Sequence, residues 1–225
     1  MKENNWFDPF YIQSHLSEEE SNIQKNVRNF CNNELKSTVV QRNRKNEFDK
    51  DLYPKFGSLG VLGQTVKTHG GSGTSNLAYG LVAYEFEKID SSYRSSISVQ
   101  SSLVIHPISE FGSEKQKDKY LPKLIKGEQI GCFGLTESEA GSDPASMKTT
   151  FKKTKDGYIL NGSKNWITNA PIADIFIIWA IEENKDHKSI KGFIIEKNTE
   201  GLNTSTIENK TSLKISPTGQ IILNN

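Results

Sequence analysis

Cysteine is scarce in this chain, and long apolar runs are missing. The 225 residues hold two cysteines, Cys31 and Cys132, far apart in sequence. Neither belongs to a metal-binding spacing, and two distant thiols make no disulfide framework. They read as reduced thiols. No stretch approaches the roughly 18 consecutive apolar residues of a membrane-spanning helix. Charge of one sign is not in excess: 28 Lys and Arg against 27 Asp and Glu leave a net charge of +1. That balance removes the electrostatic case for nucleic acid or an anionic membrane as partner. The opening "MKENNWFDPFYIQSHL" has neither an apolar signal-peptide core nor an Arg-rich amphipathic pattern, so no targeting segment is read there. What is present suits a globular protein. Hydrophobic residues make up 34% of the chain and mean hydropathy is −0.58. The length fits one large or two modest domains.

The first half has helical periodicity. Ser17 with Glu20 forms a capping box, followed by Ile23, Val27, Phe30 and Leu35 at helical spacing. Phe48, Leu52, Phe56 and Leu59 predict a second helix, stopped by Gly60. Thr74 is the expected cap of a third, carrying Leu77, Leu81, Glu85 or Phe86, and Ile89. A fourth is predicted from about Ser92 to Glu110, with a kink at His106-Pro107. Ser113 with Gln116 caps a fifth, with Tyr120, Leu121 and Leu124 on one face and Gly127 at its end.

Near residue 130 the period changes. Residues 131–135 open like a buried strand. In "FKKTKDGYILNGSKNWIT", Asp156-Gly157 and Asn161-Gly162 are both tight-turn signals. "IADIFIIWAIEE", "SIKGFIIEK" and "TGQIILNN" read as strands. The expected class is α+β: an all-helical domain over 1–130, then a β-barrel-like middle domain over 131–225. The last strand is expected to lack a partner, so the chain reads as an incomplete version of something longer.

Three stretches could carry chemistry. "GCFGLTESEAGSDPASM" (131–147) is no Walker A loop, since no lysine follows its glycines. It is no dinucleotide fingerprint, which needs a third glycine and a helix. It contains no G-x-S-x-G. What it offers is backbone N–H groups and the hydroxyls of Thr136, Ser138, Ser142 and Ser146, with Gly134 and Gly141 allowing close approach. A capped, solvated connection is the plainer alternative. "NGSKNWITNAP" offers the flat face of Trp166, with the Thr168 hydroxyl two residues on; a strand tryptophan is more often core. Arg94, among Ser91, Ser92, Ser95 and Ser96, has room for a bidentate carboxylate or phosphate. A surface arginine paired with Glu87 or Asp90 is its ordinary alternative.

Taken together, "YRSSISVQSSLVIHPI", "YLPKLIKGEQIGCFGLTESEAGSDPASM" and "LNGSKNWITNAPIADIFIIWA" resemble the acyl-CoA dehydrogenase family in order and spacing. "WFDPF" near the start and "GVLG" at 60–63 extend the resemblance over essentially the whole chain. Within the family it is greatest to the glutaryl-CoA dehydrogenases, on "YRSSISVQSSLV". The resemblance implies a helical domain, a middle β-domain and a C-terminal helical domain, the last absent here. It implies FAD as cofactor, lined by Phe133, Gly134, Leu135, Thr136, Glu137, Gly141 and Ser142. Trp166, Ile167 and Thr168 would form the second flavin wall. It implies an acyl-CoA substrate, with Ser142 near its thioester or the pyrophosphate. Arg94, Ser95 and Glu87 would hold the distal carboxylate of a glutaryl group.

Hydride would leave the β-carbon as a base removes the α-proton, with decarboxylation to crotonyl-CoA left open as a second step. The family's base is a glutamate of the absent domain, so no residue here is assigned as base, and turnover by these residues alone is not expected. The resemblance further implies an electron-transfer flavoprotein as acceptor, a homotetramer for the full-length protein, and a bacterial cytoplasm, with the mitochondrial matrix as alternative. Two competitors stay open. One is a non-catalytic flavin- or CoA-binding or interaction module. The other is an isovaleryl- or butyryl-type branch with a different acyl pocket.

Overall fold

The computed structural model describes residues 8–224. Trp6 and Phe7 of the "WFDPF" motif lie outside the described residues, as does Asn225.

The helical half is built largely on its caps. Helix α1 (Glu18–Phe30) begins at the expected capping box: the Ser17 side chain accepts from the Glu20 N–H at 3.2 Å, and the Glu20 carboxylate accepts from the Ser17 N–H at 3.0 Å. A π-helical turn, Cys31–Leu35, extends it and carries Leu35 into the core. Helix α2 (Val39–Lys45) was not expected. It buries no residue, so no apolar stripe marked it. Helix α3 (Leu52–Ser58) is shorter than predicted, and Phe48 lies in the preceding link.

Helix α4 (Asn76–Glu87) corrects the third cap. Ser75, not Thr74, accepts from the Ala78 N–H at 3.0 Å. The Thr74 hydroxyl instead donates to the Gln64 carbonyl at 3.1 Å. The fourth helical stretch is Ser91–Ser98 (α5), a π-helical turn Val99–Ile105, and His106–Phe111 (α6). Asp90 caps it, accepting from the Ser92 N–H at 2.8 Å. Pro107 falls just after the π-helical turn, where the backbone ladder already changes its spacing. Helix α7 (Glu114–Ile125) has the predicted capping box at Ser113 and Gln116 and buries Tyr120, Leu121, Leu124 and Ile125.

Among the described residues seven strands form one mixed sheet. They are β1 (Gly131–Gly134), β2 (Thr150–Lys153), β3 (Tyr158–Thr168), β4 (Ile175–Glu182), β5 (Lys191–Glu196), β6 (Leu202–Thr206) and β7 (Thr218–Leu223). The order is β1-β4-β2-β3-β7-β6, with β5 also on β4. Strands β1 and β2 run parallel to β4; the other pairs are antiparallel. Asp156-Gly157 makes the expected hairpin between β2 and β3, closed by the Thr154 N–H on the Gly157 carbonyl at 2.9 Å.

Asn161-Gly162 is not a turn. It lies inside β3, paired with Thr150 and Leu223. A Cβ on Gly162 would stand 2.6 Å from the Thr149 hydroxyl and 2.7 Å from its Cα, so glycine is there for a close strand approach. The expectation that the last strand lacks a partner is also corrected: β7 lies between β3 and β6. Strand β6 was missed, because its "LNTST" has no apolar alternation.

Strand β4 explains how the two halves join. Ile175 and Ile177 enter the core shared with the helices, while Phe176 and Ile178 enter a second core within the sheet. Burial of both faces is why "IADIFIIWA" reads as a continuous apolar run. Gln100, fully buried, crosses the joint. Its amide donates to the carbonyls of Leu124 and Gln129, both at 2.9 Å, and its carbonyl accepts from the Gly131 N–H at 2.8 Å. Cys31 and Cys132 are free and buried. Burial pushes the Cys31 thiol up to about 12 and that of Cys132 well above its ordinary value, so both are poor nucleophiles at neutral pH. Among the described residues no helix is long and apolar enough to cross a membrane, and no cluster of three or more His, Cys, Asp or Glu could hold a metal ion.

Candidate functional site

The loop from Leu135 to Thr149 follows β1 and is closed at its neck. The Glu137 carboxylate accepts from the backbone N–H groups of Lys148 at 2.6 Å and Thr149 at 3.0 Å. It also accepts from the Lys164 ammonium of β3 at 2.8 Å. That ammonium donates in addition to the Leu135 carbonyl at 3.0 Å, and the Lys164 side chain is 0% exposed. Burial alone pushes the Glu137 carboxyl up. The bonds from Lys164, Thr149 and Lys148 outweigh it and hold the carboxyl below its ordinary value. For Lys164 burial is the larger effect and lowers the ammonium, with the Glu137 contact offsetting part of it.

A pH dependence follows. The unfolded Glu137 carboxyl titrates near 4.3, and the folded one lower, so its stabilisation is present above about pH 4.3 and lost as the pH falls through the folded value. Unfolding free energies measured from about pH 6 down to about pH 3 should fall in the wild type and fall less steeply in Glu137→Gln.

The second wall is a distorted piece of β3. The register against β7 shifts between Lys164 and Ile167, a β-bulge. Trp166 sits on it with φ 62° and is 59% exposed. A bulky residue in the left-handed region is strained by about 1–3 kcal/mol, and such strain clusters at ligand sites. The plainer alternative, a core tryptophan, is not what the fold gives. Asn165 ties this wall to the loop: its N–H donates to the Thr136 carbonyl at 2.9 Å and its amide to the Ser138 hydroxyl at 3.2 Å. The Asn165 side-chain carbonyl accepts from the Trp166 N–H at 3.0 Å. Ile167 turns into the sheet core, Thr168 is half-buried, and the buried Asn169 donates from its side chain to the Gly131 carbonyl at 3.1 Å.

The other predicted residues divide. Thr136 is half-buried, and Gly141 and Ser142 are exposed on the loop body; a Cβ at Gly141 would meet nothing within 4 Å. Gly134 is different. A Cβ there would lie 2.6 Å from Ile178 Cδ1 and 3.3 Å from Ile221 Cδ1, so packing, not ligand approach, requires this glycine. Phe133 points into the core shared with the helices, edge-on to Trp179 at 6.0 Å. The Ser146 hydroxyl is spent locally on the Asp143 carbonyl at 2.8 Å. Glu139 pairs with Lys148 on the surface.

Arg94 stands apart. Its Nε donates to Glu87 at 2.9 Å, and the two side chains are 37% and 46% exposed. The Ser91 hydroxyl also donates to Glu87, and that bond first, then Arg94, lowers the Glu87 carboxyl. Ser95 beside them is half-buried. Of the two ordinary partners considered for Arg94, Glu87 is the one found; Asp90 caps α5 instead. Among the described residues, no hydrogen bond or ion pair joins the Arg94 group to the loop or to Trp166. A cleft of about 560 Å³ bordered by Tyr120, Tyr158, Phe193 and Glu196 lies elsewhere and is not lined by these residues.

Sequence reasoning missed Lys164 and Asn165. A lysine in a strand reads as a solvent-facing residue. No local signal separates it from its exposed neighbours, because its partners are 27 and 29 positions away.

Residues 17–128 match the family model described as "Acyl-CoA dehydrogenase, N-terminal domain", and residues 132–225 the one described as "Acyl-CoA dehydrogenase, middle domain". An acyl-CoA dehydrogenase of Bacillus subtilis (strain 168) is 37% identical, with 94% of this chain and 56% of the relative covered. A mitochondrial isovaleryl-CoA dehydrogenase of Pongo abelii is 38% identical, with 92% and 50% covered. Among solved structures, a glutaryl-CoA dehydrogenase from Mycobacterium smegmatis in complex with FADH2 superposes with TM-score 0.92 at 39% identity, covering 96% of this chain and 55% of that one. The chain spans about half the length of the relatives it matches. Its sequence, its two matched domains and its fold make it a member of the acyl-CoA dehydrogenase family.

Proposed function

We propose that this chain supplies the N-terminal domain (1–130) and middle domain (131–225) of an FAD-dependent dehydrogenase that acts on glutaryl-CoA. The observation that carries the cofactor assignment is Trp166, an exposed aromatic plane held against its backbone preference and tied through Asn165 to the Thr136–Ser142 loop. These residues fit a flavin: a flat face, small open residues at Gly141 and Ser142, and short hydroxyls beside free backbone. When bound, the flavin supplies the hydride acceptor for α,β-dehydrogenation. The chain's own residues shape that face, and the hydroxyls of Thr136, Ser142 and Thr168 are the donors that would orient the ring. Glu137 and Glu139 are engaged with Lys164 and Lys148, so neither is offered as the base, and turnover by these residues alone is not expected. An electron-transfer flavoprotein as acceptor and a homotetrameric assembly extend the same reading, on the family resemblance.

Titration of the chain with FAD, followed by flavin fluorescence, tests the cofactor. Saturable binding is expected, weakened by up to about tenfold in Trp166→Ala, the loss of one aromatic stack. Absence of saturable binding overturns the assignment.

The glutaryl assignment rests on Arg94 with Glu87 and Ser95. Its guanidinium is half-exposed and uses one nitrogen on Glu87. A neutral acyl tail gains nothing from it, whereas a distal carboxylate gains a charge-assisted bond. In a protein that joins this chain to a catalytic base, Arg94→Gln should lower kcat/KM for glutaryl-CoA by about 10- to 100-fold and leave butyryl-CoA nearly unchanged. Equal losses on both substrates would sink the assignment and favour a straight- or branched-chain substrate.

A further inference from the structure

We propose that Lys164 is a positioning residue that locks the loop of 135–149 and the Trp166 bulge into one rigid cradle; the proposal rests on the flavin reading above. Lys164 immediately precedes the bulge on β3. Its ammonium reaches both ends of the loop: the Leu135 carbonyl at 3.0 Å and the Glu137 carboxylate at 2.8 Å at the start, and Met147 Sδ at 3.9 Å at the end. Glu137 completes the closure through the N–H groups of Lys148 and Thr149. The Thr149 carbonyl in turn accepts from the Ile181 N–H of β4 at 2.9 Å, fixing the neck to the sheet. Between these anchors the loop body buries only Ala140 among residues 138–146. The body therefore has little packing of its own, and its position is set at the neck.

Bulk stability does not explain such a pair. A buried ion pair is commonly matched or bettered by apolar residues of similar volume. What apolar residues do not reproduce is direction. An ammonium with three donors holds a carbonyl, a carboxylate and the strand it grows from at defined distances. Here that strand carries the tryptophan and those acceptors carry the hydroxyl loop. One side chain thus sets the spacing between the two faces of the site without lining either.

The test separates position from stability. Lys164→Met alone leaves the Glu137 charge buried and unpaired and is expected to unfold the chain or lower its melting temperature steeply. The informative variant is Glu137→Gln/Lys164→Met, which removes both charges and keeps one of the two acceptor oxygens that the Lys148 and Thr149 N–H groups use. Its melting temperature is expected within about 5 °C of wild type. Amide hydrogens of residues 138–146 should nevertheless exchange at least about tenfold faster. FAD should bind at least about tenfold more weakly, and at saturation should quench tryptophan emission less, because Trp166 is no longer held against the loop.

Glu139→Gln/Lys148→Met, which removes an exposed pair on the same loop, should change none of these. If the first double variant does not fold, Glu137→Gln/Lys164→Gln serves: no charge is left buried, an amide pair replaces the ion pair, and loop exchange should rise by about threefold. Loop exchange and FAD affinity within twofold of wild type in a folded variant, on the scale of about 0.4 kcal/mol, would overturn the proposal. If the wild type binds no FAD, the flavin reading fails, and the exchange measurement still decides the role of Lys164.

Discussion

Gln100→Leu is expected to lower the unfolding free energy by about 3 kcal/mol or more, measured by urea denaturation. Leucine is close in volume and apolar, and the site is fully buried, so transfer to an apolar interior favours the change. Hydrogen bonding opposes it and wins. Gln100 satisfies the carbonyls of Leu124 and Gln129 and the N–H of Gly131 at once. Leucine would leave the Gln129 carbonyl and the Gly131 N–H at the joint between helices and sheet without that partner, each at about 1–3 kcal/mol, while the Leu124 carbonyl keeps the Gly127 N–H at 3.2 Å. Gln64 supplies the contrast. It is equally buried, but its amide nitrogen has no partner, so Gln64→Leu should cost far less. If Gln100→Leu is as mild as Gln64→Leu, the joint is held by packing alone.

This difference marks what was legible in the sequence. Features decided within a few residues could be read: the capping boxes at Ser17 and Ser113, the Asp156-Gly157 hairpin, and the doubly buried β4. Features decided by distant partners could not. Asn161-Gly162 has turn chemistry, but Thr149 needs the space beside Gly162, and the pair runs straight through β3. Gly134 has the look of a ligand-approach glycine, but Ile178 and Ile221 fill the volume its side chain would take. At the candidate site the sequence offered Thr136, Ser142, Trp166 and Thr168 by name. It offered no sign of the bulge that turns Trp166 outward, nor of Lys164 and Asn165. Those depend on which strand lies beside the loop, which only the folded chain determines.

Gly127→Ala is the second large effect, expected at about 3 kcal/mol. Gly127 ends α7 with φ +71°, the left-handed position that follows many helix C-termini, and its N–H donates to the Leu124 carbonyl at 3.2 Å. Alanine there costs about 1–2 kcal/mol from backbone sterics alone. A second penalty is independent of the first. The added Cβ would lie 2.1 Å from the Tyr53 carbonyl oxygen and 2.4 Å from its carbon, at the start of α3. Those atoms are backbone and cannot rotate away, so α3 or the α7 terminus must shift, an overpacking cost of about 1–3 kcal/mol. Gly57 mirrors the contact, with Lys126 carbonyl oxygen 2.1 Å from where its Cβ would be. The α3 and α7 backbones therefore touch through two glycines, and either substitution should destabilise. Gly141→Ala is the control, in open space with no positive φ, and should leave the urea midpoint nearly unchanged. A Gly127→Ala protein as stable as Gly141→Ala would show that the α3–α7 contact yields freely and does not hold the helical half together.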